Sequence, residues 1–398
     1  MKTTPENVKA RLIAFYLPQY YPIPENDLWW GKGFTEWTNV TKAKPLFPGH
    51  KQPNLPADLG FYDLRLPEVR RAQADLARTY GIEGFCYWHY WFGDGKRILE
   101  RVFDEVLTSG QPDFPFCLAW ANETWSRAWQ GKGKTILMEQ RYPGEADYRQ
   151  HFEFLLKAFR DPRYIRVDGK PLFVIYNPDK LPQPKAFVTL FQKLAVEAGL
   201  PGLFIPGVCE DHFSLEESGL DARIPPQPGL FQHIKANGWQ REPRPNLMIR
   251  AFRKIWRKFR ALLPFPDIQS YPRKARFYIN LPKCDARTLP CAMTNWDKTP
   301  RNGKRATIFL GATPEQYRLV LRKSIADVAD RPPEHRIVFL KSWNEWAEGN
   351  QLEPDRRFGH GFLKVTREEV TADGTAKPVC NKLFHERNQQ IQTQLGRD

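Results

Sequence analysis

Short apolar runs rich in β-branched and aromatic residues alternate with stretches of helical periodicity over most of this sequence. No other feature constrains the fold as strongly, because strands separated by helices pair in parallel through crossover connections. The runs that read as strands are Leu12–Leu17 (LIAFYL), Glu83–Trp88 (EGFCYW), Phe116–Ala121 (FCLAWA), Leu172–Tyr176 (LFVIY), Leu203–Val208 (LFIPGV) and Ile337–Ser342 (IVFLKS). Helical patterns occupy Pro67–Tyr80, Lys96–Thr108, Glu145–Phe159, Pro184–Ala198 and Pro314–Ala329. Three of these open on Pro, which suits a first-turn position where the missing N–H costs nothing. Between Glu210 and Thr313 the alternation lapses into loops rich in Pro, Arg and Lys, so one or two strands must lie there if the sheet closes into eight. The 398 residues are enough for such a closed sheet with added loops, and for a core that needs neither disulfide nor structural metal. The expected fold class is α/β, a (β/α)8 TIM-like barrel with elaborated loops. No repeat or clean linker divides the chain, so residues 1–398 read as one domain, with 210–301 as an irregular insertion.

Polar and aromatic clusters follow the strand ends. Tyr20, Trp29, Trp30, Glu36 and Trp37 come after the first strand, and His89, Tyr90 and Trp91 after the second. The third is followed by Asn122, Glu123 and Trp125, the fourth by Tyr176 and Asn177, and the last by Trp343, Asn344, Glu345, Trp346 and Glu348. A barrel gathers all these ends on one face, where its active sites sit. Aromatic residues make up 14% of the chain, with 13 Trp, and a cleft of Trp plus polar groups is how proteins hold sugars. Most Trp of any chain are core, so the positions after strands are what single these out.

Glu345 and Glu348 are the pair best placed for chemistry. Glycosidic bond cleavage needs a proton donor at the leaving oxygen and a second carboxylate to support the developing charge. Two Glu sharing a cleft split their pKa values, so one holds a proton while the other is ionised. Trp343 and Trp346 are placed to desolvate one acid and stack on a sugar, and Gly349 allows a sharp turn. The plain alternative is a solvated loop whose acids pair with Arg356 or Arg357. The other positions also have ordinary readings. Glu123 has Arg127 nearby, Glu36 has Lys32 and Lys42, and His89 suits a satisfied rim histidine. Trp296 and Asp297, in TNWDKTPR, are candidates to reach the cleft, with a turn cap as the ordinary reading of Asp297.

Several classes drop out. No stretch approaches a membrane span, and MKTTPENVKARLIAFYLPQ lacks the apolar region and cleavage site of a secretory signal, so a cytoplasmic location is expected. The six Cys form no CxxC pair and no ligand spacing with His, so neither zinc nor a disulfide framework is expected. Glycosidic chemistry by two carboxylates requires no metal, and no cofactor is expected. The net charge of +15 asks for an acidic partner. Its densest run, IRAFRKIWRKFR at Ile249–Arg260, continues an amphipathic pattern to Leu263. That pattern fits a helix on an anionic membrane surface, and equally a solvated helix packed on the protein's own core. No recognition motif points to nucleic acid.

SWNEWAEGNQLEP resembles the SFNEWHEGTQIEP signature of family 99 glycoside hydrolases, the retaining endo-α-mannosidase and mannanase group. FYLPQYYPIPENDLWWGKGFTEWTNV, GFCYWHYWF, FPFCLAWANETW, WDKTPR and SWNEWAEGNQLEP together resemble the WbsX-type proteins of bacterial polysaccharide gene clusters, which carry a family 99-like domain. The resemblance runs from Ala14 to about Pro354. It implies a (β/α)8 barrel and a mechanism in which Glu345 takes the proton of a sugar 2-hydroxyl, forming a 1,2-anhydro intermediate. Glu348 is then the acid and afterwards the base. Trp343, Ala347 and Asn350 stand where the signature has Phe, His and Thr. Ala347 is the departure with most bearing on which sugar fits.

Three functions compete. The first is a retaining α-glycosidase or transglycosidase acting on an oligosaccharide of O-antigen type or its lipid-linked precursor. The second is a glycosyltransferase of lipopolysaccharide biosynthesis, against which stand the missing GxGxxG turn and DxD triplet. The third is a non-catalytic glycan-binding protein, which would gain little from two closely spaced carboxylates.

Overall fold

The computed structural model describes residues 8–127, 135–230 and 265–371. Eight strands form one sheet: β1 (Arg11–Tyr16), β2 (Gly84–His89), β3 (Phe116–Trp120), β4 (Phe173–Ile175), β5 (Pro206–Val208), β6 (Ala222–Ile224), β7 (Cys291–Met293) and β8 (Ile337–Lys341). Their order is β6-β5-β4-β3-β2-β1-β8-β7, and every neighbour runs parallel. A parallel bridge between Arg223 and Thr288 joins β6 to the segment entering β7. There the Arg223 N–H donates to Arg287 O, and the Leu289 N–H to Arg223 O, each at 2.8 Å. The two edges of the sheet thereby meet, giving the (β/α)8 barrel.

All six strands expected from the sequence are present, displaced at most by a few residues at their ends. β6 and β7 are the two that the irregular stretch had to hide. Every residue of β2, β3 and β8 is buried, as in a parallel sheet with helices outside and packed side chains within. Inside the barrel the Phe15 ring stacks on Trp88, centroids 4.7 Å apart, and meets Phe339 at 5.2 Å.

The five expected helices form the outer layer: α3 (Pro67–Thr79), α4 (Arg101–Ser109), α5 (Glu145–Phe159), α6 (Pro184–Glu197) and α10 (Pro314–Val328). Between and after them lie α1 (Pro24–Trp30), α2 (Glu36–Lys42), α7 (Leu215–Ser218), α8 (Tyr271–Ile279), α9 (Thr299–Asn302) and α11 (Gly361–Val370). Helices α1, α2 and α9 belong to the site rather than the outer ring, because they sit on loops at strand C-terminal ends. The basic segment 249–263 lies outside the described residues. Among those described, no helix is long and apolar enough to cross a membrane.

Candidate active site

The segment after β8 folds back on the barrel. The Trp343 N–H donates to Phe15 O at 2.8 Å, and the Asn344 side chain clasps Leu17, accepting from its N–H at 2.7 Å and donating to its O at 3.0 Å. Ser342 Oγ accepts the Glu345 N–H at 3.0 Å and donates to Asn350 Oδ1 at 2.8 Å. One short turn, Trp346–Glu348, then ends at Gly349 with φ +68°. A Cβ at Gly349 would lie 3.0 Å from both the Cβ and backbone N of Asp297. Asp297 comes this close because its N–H donates to Glu348 O at 2.7 Å. Glycine therefore answers two demands here, a left-handed backbone and a neighbour at contact distance.

That contact fixes the segment carrying the cations. Asp297 Oδ1 takes the Thr299 hydroxyl at 2.7 Å and its N–H at 3.0 Å, while Oδ2 meets Gln52 Nε2 at 2.7 Å and His50 Nε2 at 2.9 Å. Of the two readings of Asp297, the structure takes the turn cap. Its ring of partners starts α9 and aims Arg301 at the acids. Arg301 donates to Glu348 at 2.7 Å, to Glu36 at 3.0 Å and to Glu345 at 3.1 Å. Lys298 adds a contact to Glu348 at 3.1 Å, and Trp88 Nε1 donates to Glu345 at 3.2 Å. Glu36 also accepts from Asn39 at 3.0 Å. Neither Arg356 nor Arg357 pairs with the two acids, and Glu36 pairs with neither Lys32 nor Lys42 among the described residues.

Glu345 and Glu348 both face a cavity of about 290 Å³ at the C-terminal ends of the strands. Trp30, Trp88, Trp125, Trp296, Tyr90 and Tyr176 line it, with Glu36, Glu123, Lys298, Arg301 and Lys341 as its charged groups. The two acids differ in proton affinity. Burial and the neighbouring Glu348 raise Glu345 above the usual carboxylate range, against the pull of Arg301 and Lys341. Burial acts upward on Glu348 too, but Lys298, Arg301 and Lys341 outweigh it and hold that carboxyl well below its usual range. In the free protein Glu348 is thus the ionised member, and any shared proton belongs to Glu345. Glu123 is raised by burial. It makes no ion pair with Arg127, whose guanidinium lies over the Trp30 ring at 5.8 Å.

Other expected ligand residues stand elsewhere. Tyr20 is fully buried, its hydroxyl donating to Asn344 O. Trp37 donates to Tyr62 O at 2.8 Å and Trp91 to Asp147 at 3.1 Å. Trp29 packs against Trp125 behind the wall, at 5.9 Å. His89 meets His151 at 2.9 Å, and burial keeps both imidazoles below their usual pKa. Asn122 and Asn177 tie two loops together, the Asn122 amide donating to Asn177 O at 2.7 Å. Trp343 and Trp346 are buried and cannot stack on a ligand, since one packs on Phe85 at 5.1 Å and the other on Trp37 at 5.6 Å. Asn344 is occupied with Leu17 as above. Ala347 is also fully buried and off the cavity wall. These residues build the site without lining it.

Sequence reasoning missed Trp88, Lys298, Arg301 and Lys341. Lys341 had a visible signal: a charge ending an otherwise apolar strand, IVFLK. Arg301 had WDKTPR as a local marker, but its carboxylate partners are remote in sequence.

Fold and site together define a class, a (β/α)8 barrel built like the glycoside hydrolases, with an acidic pair at the strand ends. A family model described as Glycosyltransferase WbsX matches residues 12–366, and the chain belongs to that family. It is 37% identical over 380 residues to protein WxcX of Xanthomonas campestris pv. campestris, and 38% identical to the same protein in a second strain. The match takes in 95% of this chain and 52% of the relative, so the chain spans about half the length of the curated relatives it matches. Among solved structures, a glycoside hydrolase-like protein superposes with TM-score 0.55 at 15% identity, covering 93% of this chain and 96% of that one. The GH99 endo-α-mannosidase of Bacteroides thetaiotaomicron gives 0.52 at 16% identity, with 90% and 96% covered.

Proposed function

We propose that this chain is a carbohydrate-active enzyme, a retaining α-glycoside hydrolase or transglycosidase. Its substrate is a bacterial cell-surface oligosaccharide, of O-antigen type, or the lipid-linked precursor of one. The observation that carries the reading is one half-buried arginine holding Glu345 and Glu348 on the wall of a single aromatic cavity. Two carboxylates of unlike proton affinity in one aromatic cleft are what glycosidic chemistry requires.

In this reading Glu345 takes the proton of the sugar 2-hydroxyl as that oxygen bonds to C1, and Glu348 protonates the leaving oxygen. Water or an acceptor hydroxyl, losing its proton to Glu348, then opens the 1,2-anhydro ring, and O2 regains its proton from Glu345. In the free protein Glu348 has the lower proton affinity of the two and is tied to Lys298 and Arg301, the reverse of what an acid needs. Substrate must therefore loosen those contacts and pass a proton to Glu348 before the first bond breaks. Glu36 and Glu123 are placed to take sugar hydroxyls, and the cavity tryptophans to stack on sugar faces.

The family description favours a second reading, a transferase that consumes a nucleotide-activated donor. Mass spectrometry of the organism's own O-antigen oligosaccharide, incubated with the protein in ¹⁸O-water without nucleotide sugar, separates the two. The hydrolase reading expects shortened glycans labelled at the new reducing end, and the transglycosidase reading unlabelled longer ones. Both products should vanish with Glu348→Gln. Turnover that needs added nucleotide sugar would establish the transferase.

A further inference from the structure

Lys341 ends β8, only 7% exposed as a residue, and it lines the cavity. Its ammonium sits between two aromatic walls of that cavity, 5.6 Å from the Trp88 ring centre and 5.8 Å from that of Trp296. The other two cations of the cavity are committed, Arg301 to three carboxylates and Lys298 to Glu348. The Lys341 ammonium makes neither a hydrogen bond nor an ion pair among the described residues, and it acts on Glu345 and Glu348 only at longer range. The ammonium, at the cavity wall, thus has ring faces on two sides and no acceptor for its donors among the described residues. A buried cation needs a counter-charge or hydrogen-bond acceptors, and ring faces meet that need only in part.

We propose that Lys341 is an anion subsite: the glycan bound here carries an oxyanion, a sugar carboxylate or a phosphate ester, beside the sugar that reacts at Glu345 and Glu348. The inference rests on the carbohydrate reading above and adds the charge of the substrate to it. Glu36, Glu123, Glu345 and Glu348 would repel such a glycan, and Lys341 is the cavity cation that touches no carboxylate among the described residues and so has donors left to offset them. The net charge of +15 favours approach of the same class of ligand. Trp88 bonds Glu345 and also faces the lysine, so the anion would lie one ring's width from the reacting pair.

Titration by ligand-detected NMR tests this with four probes: D-glucuronate against D-glucose, and D-mannose 1-phosphate against D-mannose. One charged probe of the wild-type protein should bind about ten-fold or more tighter than its neutral partner. The pair showing the preference identifies carboxylate or phosphate as the source. Lys341→Met should remove the preference and leave neutral binding within about two-fold, whereas Lys341→Arg should keep it. Equal binding of charged and neutral probes by the wild type overturns the subsite, and neutral binding in the same samples leaves the carbohydrate reading standing. An equal loss of both kinds in folded Lys341→Met would make the lysine a charge partner of the acid pair instead. Failure of every probe to bind the wild type overturns the subsite and removes support from the carbohydrate reading as well. An anion preference without any glycan turnover would keep the subsite and count against the hydrolase.

Discussion

Arg301 Nη1 donates to Glu348 Oε1 at 2.7 Å, and the same guanidinium reaches Glu345 and Glu36. One side chain thus sets the separation of the proposed reacting pair and neutralises part of their charge in a buried place. Removing it leaves three carboxylates crowded without their cation. Arg301→Met should cost about 3–5 kcal/mol of stability, the usual penalty for orphaning buried ionic partners. It should also raise the proton affinity of Glu348. Urea unfolding reads the first effect, and ¹³C-carboxyl NMR titration the second. A variant as stable as the parent would show that the acids are solvated.

Gly349 and Asp297 lock the acid-bearing turn to the cation-bearing one. Gly349→Ala imposes a left-handed backbone on a residue with a Cβ and drives that atom against Asp297. The conformational part alone costs about 1–2 kcal/mol. Turnover should fall further than that cost explains, since Glu348 and Lys298 shift together. Comparing denaturation midpoints with initial rates checks this, and a variant with normal rates would contradict it.

Glu353 is buried beneath the site, accepting from Trp346 at 2.6 Å, Gln73 at 2.7 Å and Tyr62 at 2.8 Å. Burial outweighs these bonds and pushes its pKa up to about 7, from an ordinary 4.5. A carboxyl raised on folding binds its proton more tightly in the folded chain. Its contribution to stability is therefore full below the ordinary carboxylate range and is lost as pH rises through about 7. Glu353→Gln should cancel that slope. Between pH 4.5 and 7 the parent should lose on the order of 3 kcal/mol relative to the variant. Parallel stability curves would place the carboxyl in its usual range.

Asp297 holds the Lys298–Arg301 segment through four hydrogen bonds. Asp297→Asn keeps the shape but turns one of the two carboxylate oxygens into an NH2 donor, set either against His50 and Gln52 or against Thr299. We expect about ten-fold or greater loss of turnover with modest loss of stability, because the aim of Arg301 degrades first. His50→Gln should show the same pattern more weakly. Equal melting points and equal rates for both would mean that α9 is held by other contacts.

The legible part of this fold was whatever left a long local pattern. Runs such as EGFCYW and IVFLKS are apolar on both faces because parallel barrel strands are buried on both, and they could not be missed. β6 and β7 are three residues each, too short for any periodicity, and only the closure of eight strands required them. Glu345 and Glu348 were visible because they follow a strand and share a segment with two tryptophans. Those tryptophans lie beneath the site and not on its wall: a Trp after a strand packs inward when a loop folds over it, and sequence does not show the loop's path. The cations were illegible for the opposite reason. Arg301 lies 265 residues from Glu36, and ion pairs of that reach leave no local trace.

In the proposed reaction the Glu345–Glu348 pair cleaves or transfers an α-linked glycan with retention. Time-resolved ¹H NMR of the isolated O-antigen oligosaccharide with enzyme, without nucleotide sugar, tests this most directly, with Glu345→Gln and Glu348→Gln run alongside. The predicted result is a first-formed product of α configuration from the parent and none from either variant. A β anomer appearing first, or turnover surviving in both variants, would contradict it.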